Sequence, residues 1–111
     1  MKRQHRLKRR AAFAYVYKKG ERSSQRDLLL LSARSREGLK IGLSVSTKVG
    51  NAVTRNRVKR LLREAILPIE DSINRGYMYV IVAHPSLKDR TYGEVCDQVR
   101  LAFSRAGKLK C

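Results

Sequence analysis

The sequence predicts an α+β fold: a single-domain α/β sandwich in which a small mixed sheet is packed by helices, in the order α-β-β-(β)-α-β-α. Three observations carry this. Helical apolar stripes occur near both ends and in the middle, and apolar runs of strand length lie between them. At 111 residues the chain has room for one core of normal size, so 1–111 is read as a single domain. Leu, Ile, Val and Phe supply 29 of those residues, enough for a core despite a formal net charge of +17.

Residues 1–6 precede any pattern and are expected to form a flexible lead-in. From Leu7 to Lys19 the spacing of Leu7, Ala11, Ala14, Phe13, Val16 and Tyr17 predicts a helix, with Gly20 as its stop. Glu21 to Arg26 is polar and turn-like, with room for a short edge strand. Leu28 to Leu31 reads as a strand by context alone, since four leucines suit a helix equally well. Ser35 to Gly38 is a turn. Leu39 to Ser46 is the clearest strand: Leu39, Ile41, Leu43 and Val45 point one way, and Lys40, Gly42, Ser44 and Ser46 the other. The second face should be a shallow polar floor. Asn51 is a good N-cap for a helix from Ala52 to about Ile66, ended or kinked by Pro68 with some helical continuation to Ile73. Tyr77 to Ala83 is apolar on both faces and should be an inner strand. Thr91-Tyr92-Gly93-Glu94 is a capping box, opening a final helix with the stripe Tyr92, Val95, Cys96, Val99, Phe103 and Ala106.

The charge is unevenly placed. Residues 1–63 hold 19 basic and 3 acidic side chains; residues 64–111 hold 7 and 6. One basic face and one near-neutral face follow, and the basic one asks for a polyanion. No signal peptide is visible, no apolar run is long enough to span a bilayer, and two cysteines without Cys-x-x-Cys spacing fit a reducing cytoplasm.

The cations concentrate between Lys48 and Glu64. With Arg55 at zero on a helical wheel, Lys59, Arg63, Asn56 and Arg60 fall at about 40°, 80°, 100° and 140°, and Arg57 near 200°. Leu61, Ala65, Val58 and Leu62 fill the opposite arc. No acid separates the six cations from Lys48 to Arg63, so the pairs Arg55/Lys59 and Lys59/Arg63 repel until a polyanion binds. Arginine offers a fork for phosphate and a plane for bases, and Asn56 can read a base edge or a sugar hydroxyl. Gly50 and Asn51 add backbone donors at the helix N-terminus.

Lys48-x-Gly50-Asn51-Ala52-Val53-x-Arg55-Asn56-Arg57-x-Lys59-Arg60-x-x-Arg63-Glu64 resembles the signature of the bacterial ribonuclease P protein component, the small basic subunit of a tRNA-processing ribonucleoprotein. The resemblance extends to the basic first helix, the Gly42–Ser46 strand, the inner strand and the last helix. It implies a catalytic RNA that uses magnesium ions to remove the 5′ leader of precursor tRNA, with a protein that binds this RNA and holds the leader. It also implies a left-handed β-α-β crossover, against the general right-handed rule. By motif position Asn56, Lys59, Arg60 and Arg63 would line the leader path. Lys48, Arg55 and Arg57 would face the catalytic RNA, and Gly50 and Asn51 would join the RNA-binding surface. Phe13 and Tyr17 match the family's first-helix aromatics: stacking on leader bases and simple packing onto the sheet both remain open. Thr47 stands where the family often has a second lysine. Leu31 stands where relatives often carry an aromatic on the cleft side.

His5 and His84 lack a partner at helical spacing and suggest no acid–base pair. Cys96 is expected in the core, Cys111 is a terminal thiol without a visible partner, and the acids form no metal-ligand set. No catalytic residue and no protein-held metal are expected, magnesium being held mainly by RNA phosphates. The implied partners are the catalytic RNA and precursor tRNA, with neither membrane nor DNA, and the protein is expected to be a monomer in the holoenzyme. The alternative is a non-catalytic ribosomal or RNA-chaperone protein, which would not need the Lys48–Glu64 pattern.

Overall fold

A computed structural model describes residues 1–110, so Cys111 lies outside the described residues. The elements are α1 (Arg10–Lys19), β1 (Glu21–Ser24), β2 (Leu28–Arg34), β3 (Lys40–Ser44), α2 (Ala52–Ile66), β4 (Tyr77–Ala83) and α3 (Tyr92–Arg105), with short 3-10 turns at Arg3–His5, Leu67–Ser72 and Pro85–Asp89. The four strands form one mixed sheet in the order β1-β2-β4-β3. The neighbours β1/β2 and β2/β4 are antiparallel, while β3 and β4 are parallel and joined by the α2 crossover. Tyr77–Ala83 is therefore an inner strand, as its two-sided apolar pattern requires. No helix is long and apolar enough to cross a membrane among the described residues.

Strand pleating sorts the core. Leu28, Leu30, Ile41, Tyr79 and Ile81 face α2 and α3, meeting Val58, Leu62, Ile66, Val95, Val99 and Phe103. The Tyr79 and Phe103 rings pack edge to face with centroids 5.0 Å apart. Leu29, Leu31, Ala33, Met78 and Val80 face the other way, under Ala12 and Val16 of α1. One face of the sheet thus carries two helices and the other carries one.

The caps explain the helix starts. Asn51 Oδ1 accepts from the Thr54 amide at 2.9 Å, and the Thr91–Glu94 capping box closes in both directions at 3.2 and 2.9 Å. Helix α1 has no side-chain cap and begins three residues later than the apolar spacing suggests. The reason is competition: Arg6 bridges to Ile41, and the Leu7 amide donates to the Ile41 carbonyl at 3.0 Å, so residues 6–7 run along the β3 edge. At Gly20 the backbone turns extended and ends α1, and a Cβ there would stand 2.4 Å from the Val16 carbonyl oxygen.

Residues 1–6 are not a loose lead-in. His5 is buried, and its Nδ1 pairs with Glu70 Oε2 at 2.5 Å; the Lys2 amide donates to the same carboxylate at 2.8 Å. His5 thus has a carboxylate partner 65 residues away, which no local spacing could reveal. Burial would raise the Glu70 pKa, but the hydrogen bonds from His5 and the Lys2 amide, with the positive charge of the Met1 ammonium, bring it below its ordinary value.

A second buried carboxylate ties the sheet to α3. Asp27 accepts from the Ser86 hydroxyl, from Arg90 Nε at 2.7 Å and from Gln98 Nε2 at 2.6 Å, while its amide donates to Gln98 Oε1 at 2.8 Å. Burial pushes its pKa up. The hydrogen bonds of Ser86, Gln98 and Arg90, with the Arg90 charge, outweigh that and hold it at about 2.

Candidate nucleic-acid interface

The polar face of β3 is less open than its alternation suggests. Phe13 lies over Gly42, so closely that a Cβ there would stand 2.5 Å from its ring. Phe13 is half-buried on this floor, whereas Tyr17, one turn on, is exposed. Leu31 is only 2 % exposed and presents no surface to a ligand.

Beside Phe13, a recess of about 250 Å³ opens along the β3 edge, walled by Phe13, Leu43, Lys59 and Arg63, with Arg6 and Lys8 on the near side. The Nε atoms of Arg6 and Arg63 are both buried without a hydrogen-bond partner among the described residues. Burial, and then the neighbouring Arg6 charge, lowers the Arg63 pKa. Two guanidiniums held near each other with unused donors suit a phosphate, which would relieve both the repulsion and the unmet hydrogen bonds. A second recess, of about 310 Å³, lies across the Arg6–Lys8 segment and adds Arg3, Arg9 and Lys40.

The nine motif residues do not converge on one spot. Lys59 and Arg63 line the recess, while Asn56 and Arg60 stand exposed farther round α2. Arg57 turns away, its Nη2 donating to the Lys88 carbonyl at 3.4 Å. Arg55 is half-buried with an unpartnered Nε, and Lys48 is exposed before the helix. Asn51 is occupied as the N-cap. Gly50 packs against Thr54, and a Cβ at that position would come within 2.9 Å of it. Sequence reasoning missed Arg6 and Lys8 as particular residues of this wall. Their signal is the pairing of residues 6–7 with Ile41, a long-range contact invisible in a basic run.

A mixed sheet with two helices on one face and a single helix on the other, edged by a crossover helix whose outer side concentrates cations, is the build of a small basic RNA-binding protein. The family model described as Ribonuclease P matches residues 1–107, and the chain belongs to that family. It is 39 % identical over 109 residues to a ribonuclease P protein component of Bacillus cereus strain G9842, covering 96 % of this chain and 95 % of that one. The Bacillus anthracis relative is 38 % identical, with 96 % and 92 % covered. Among solved structures, the Staphylococcus aureus RNase P protein at 2.0 Å superposes with a TM-score of 0.86 at 29 % identity, over 96 % of this chain and 98 % of that one. The Thermotoga maritima RNase P protein, at 23 % identity, shares the fold with a TM-score of 0.81 over 90 % and 96 %. The role of the chain is accordingly that of the protein subunit of ribonuclease P in tRNA 5′ processing.

Proposed function

We propose that, within this role, the recess between Phe13, the β3 edge and α2 receives the 5′ leader of precursor tRNA. Lys59, Arg63 and Arg6 hold a leader phosphate, Asn56 and Arg60 continue the path along α2, and Tyr17 offers a ring to a leader base. Lys48, Arg55 and Arg57, with the N-terminal turn at Gly50 and Asn51, meet the catalytic RNA. The observation that carries this reading is the pair of buried, unpartnered Nε atoms of Arg6 and Arg63 beside one recess.

Hydrolysis belongs to the RNA in this reading. Among the described residues, no three His, Cys, Asp or Glu side chains gather closely enough to hold a metal ion. RNA phosphates would hold the magnesium. The protein contributes cations and surface that lower the magnesium the assembly needs, acting as a monomer in the cytoplasm.

The test is leader removal from precursor tRNA by a catalytic ribonuclease P RNA at limiting magnesium. Added protein should accelerate it, and a rate no higher than with RNA alone would refute the reading. RNA-free protein that cut the precursor with added metal would refute the assignment of the chemistry to RNA.

A further inference from the structure

The opposite flank of α1 carries an arrangement that the leader path does not use. Tyr15 lies about 200° round the helix from Phe13 and is 40 % exposed. Its hydroxyl donates to the Arg34 carbonyl at 2.9 Å, which fixes the ring against the end of β2. Tyr15 and Arg34 are the walls shared by two neighbouring recesses. One, of about 350 Å³, adds Lys19, Glu21, Ser32 and Tyr77; the other, of about 620 Å³, adds Arg36, Ser35 and Met78.

The chemistry of the lining selects among ligands. Lys19, Arg34 and Arg36 are in no salt bridge among the described residues. The two nearby acids are engaged: Glu37 takes Arg9 at 2.6 Å, and Glu21 lies 3.9 Å from Lys108 Nζ. The Arg34 guanidinium stands over the Tyr77 ring, 6.0 Å from its centroid, and these cations, without an acidic partner, call for an anion. A tethered aromatic ring between two hollows calls for flat groups on both sides. Single-stranded RNA supplies both, since every base has a face and every linkage a phosphate. An acidic peptide would use the cations and leave the ring idle.

We propose that these paired recesses are a second single-stranded RNA site, in which Tyr15 stacks between successive bases while Lys19, Arg34 and Arg36 contact their phosphates. The site stands apart from the leader path, on the other flank of the same helix, and could hold an RNA strand while the leader path is filled.

The experiment uses the full chain carrying Lys59→Glu and Arg63→Glu, which disables the first recess, with a fluorescent, unstructured RNA oligonucleotide as probe. Residual binding should persist and weaken about tenfold on adding Tyr15→Ala, whereas Tyr15→Phe keeps most of it. Because Tyr15→Ala changes no charge, general attraction to a basic protein cannot produce that loss. Lys19→Ala with Arg36→Ala, both exposed side chains, should flatten the log–log salt dependence by about 1.4, a readout that survives if Tyr15→Ala unfolds the chain. No residual binding, a folded Tyr15→Ala protein that binds undiminished, an unchanged salt slope, or equal competition by polyglutamate would each overturn the proposal.

Discussion

The two faces of the sheet do different work with the same strands. Toward α2 and α3, the central strand positions meet two helices, and Leu30, Ile41, Tyr79, Ile81 and Phe103 are at most 1 % exposed. Toward α1, one ten-residue helix covers the middle strands and leaves their flanks to solvent. More of the buried core therefore lies on the first face, and the second, thinly roofed, has side grooves to offer. A third helix there would have added core at the expense of both.

The sharpest way to break this contrast is Phe103→Ala, which should cost about 3–5 kcal/mol against about 2 kcal/mol for Val16→Ala under α1, read by chemical denaturation. Equal costs would mean that the faces share the load. Acid offers a second route. Asp27 has a folded pKa of about 2 against an ordinary 3.8, so its contribution is complete above the ordinary value and is lost as pH falls through about 2. Glu70, also lowered, acts in the same direction. The thermal midpoint should drop between about pH 4 and pH 2, and Asp27→Asn should flatten that drop. Lys59→Glu with Arg63→Glu should weaken leader-dependent substrate affinity and lower the salt slope by about 1.4, with assembly on the catalytic RNA preserved. The reverse pattern would exchange the two proposed surfaces. The smallest effect is expected for Tyr17→Leu: an unchanged melting temperature and about 1 kcal/mol less affinity, confined to substrates with long leaders.

Much of this was legible along the chain because it is local. The Asn51 and Thr91 caps, the β3 alternation, the Pro68 break and the basic side of α2 are each written within a few residues. What was not legible depends on distant partners. The start of α1 is decided by Ile41, the order of the first six residues by Glu70, and the completion of the recess by Arg6 lying beside Arg63. The leucine run at Leu28–Leu31 was ambiguous for the same reason: only pairing with Ser24–Arg22 and with Val80–Ala83 makes it a strand. Within the candidate site, Lys59 and Arg63 were readable from the wheel together with Asn56 and Arg60. The wheel could not show that only the first pair meets the Phe13 wall.

Gly42 acts as a spacer gauge. With no side chain at that position, the Phe13 ring rests directly on the strand, and ring thickness alone sets how far the α1 side of the recess stands from the β3 edge. A methyl group added there would push that wall outward and change the width offered to every RNA that enters. The dimension of the groove is thus written at a residue with no side chain to touch RNA, and a search confined to contact residues would pass over it.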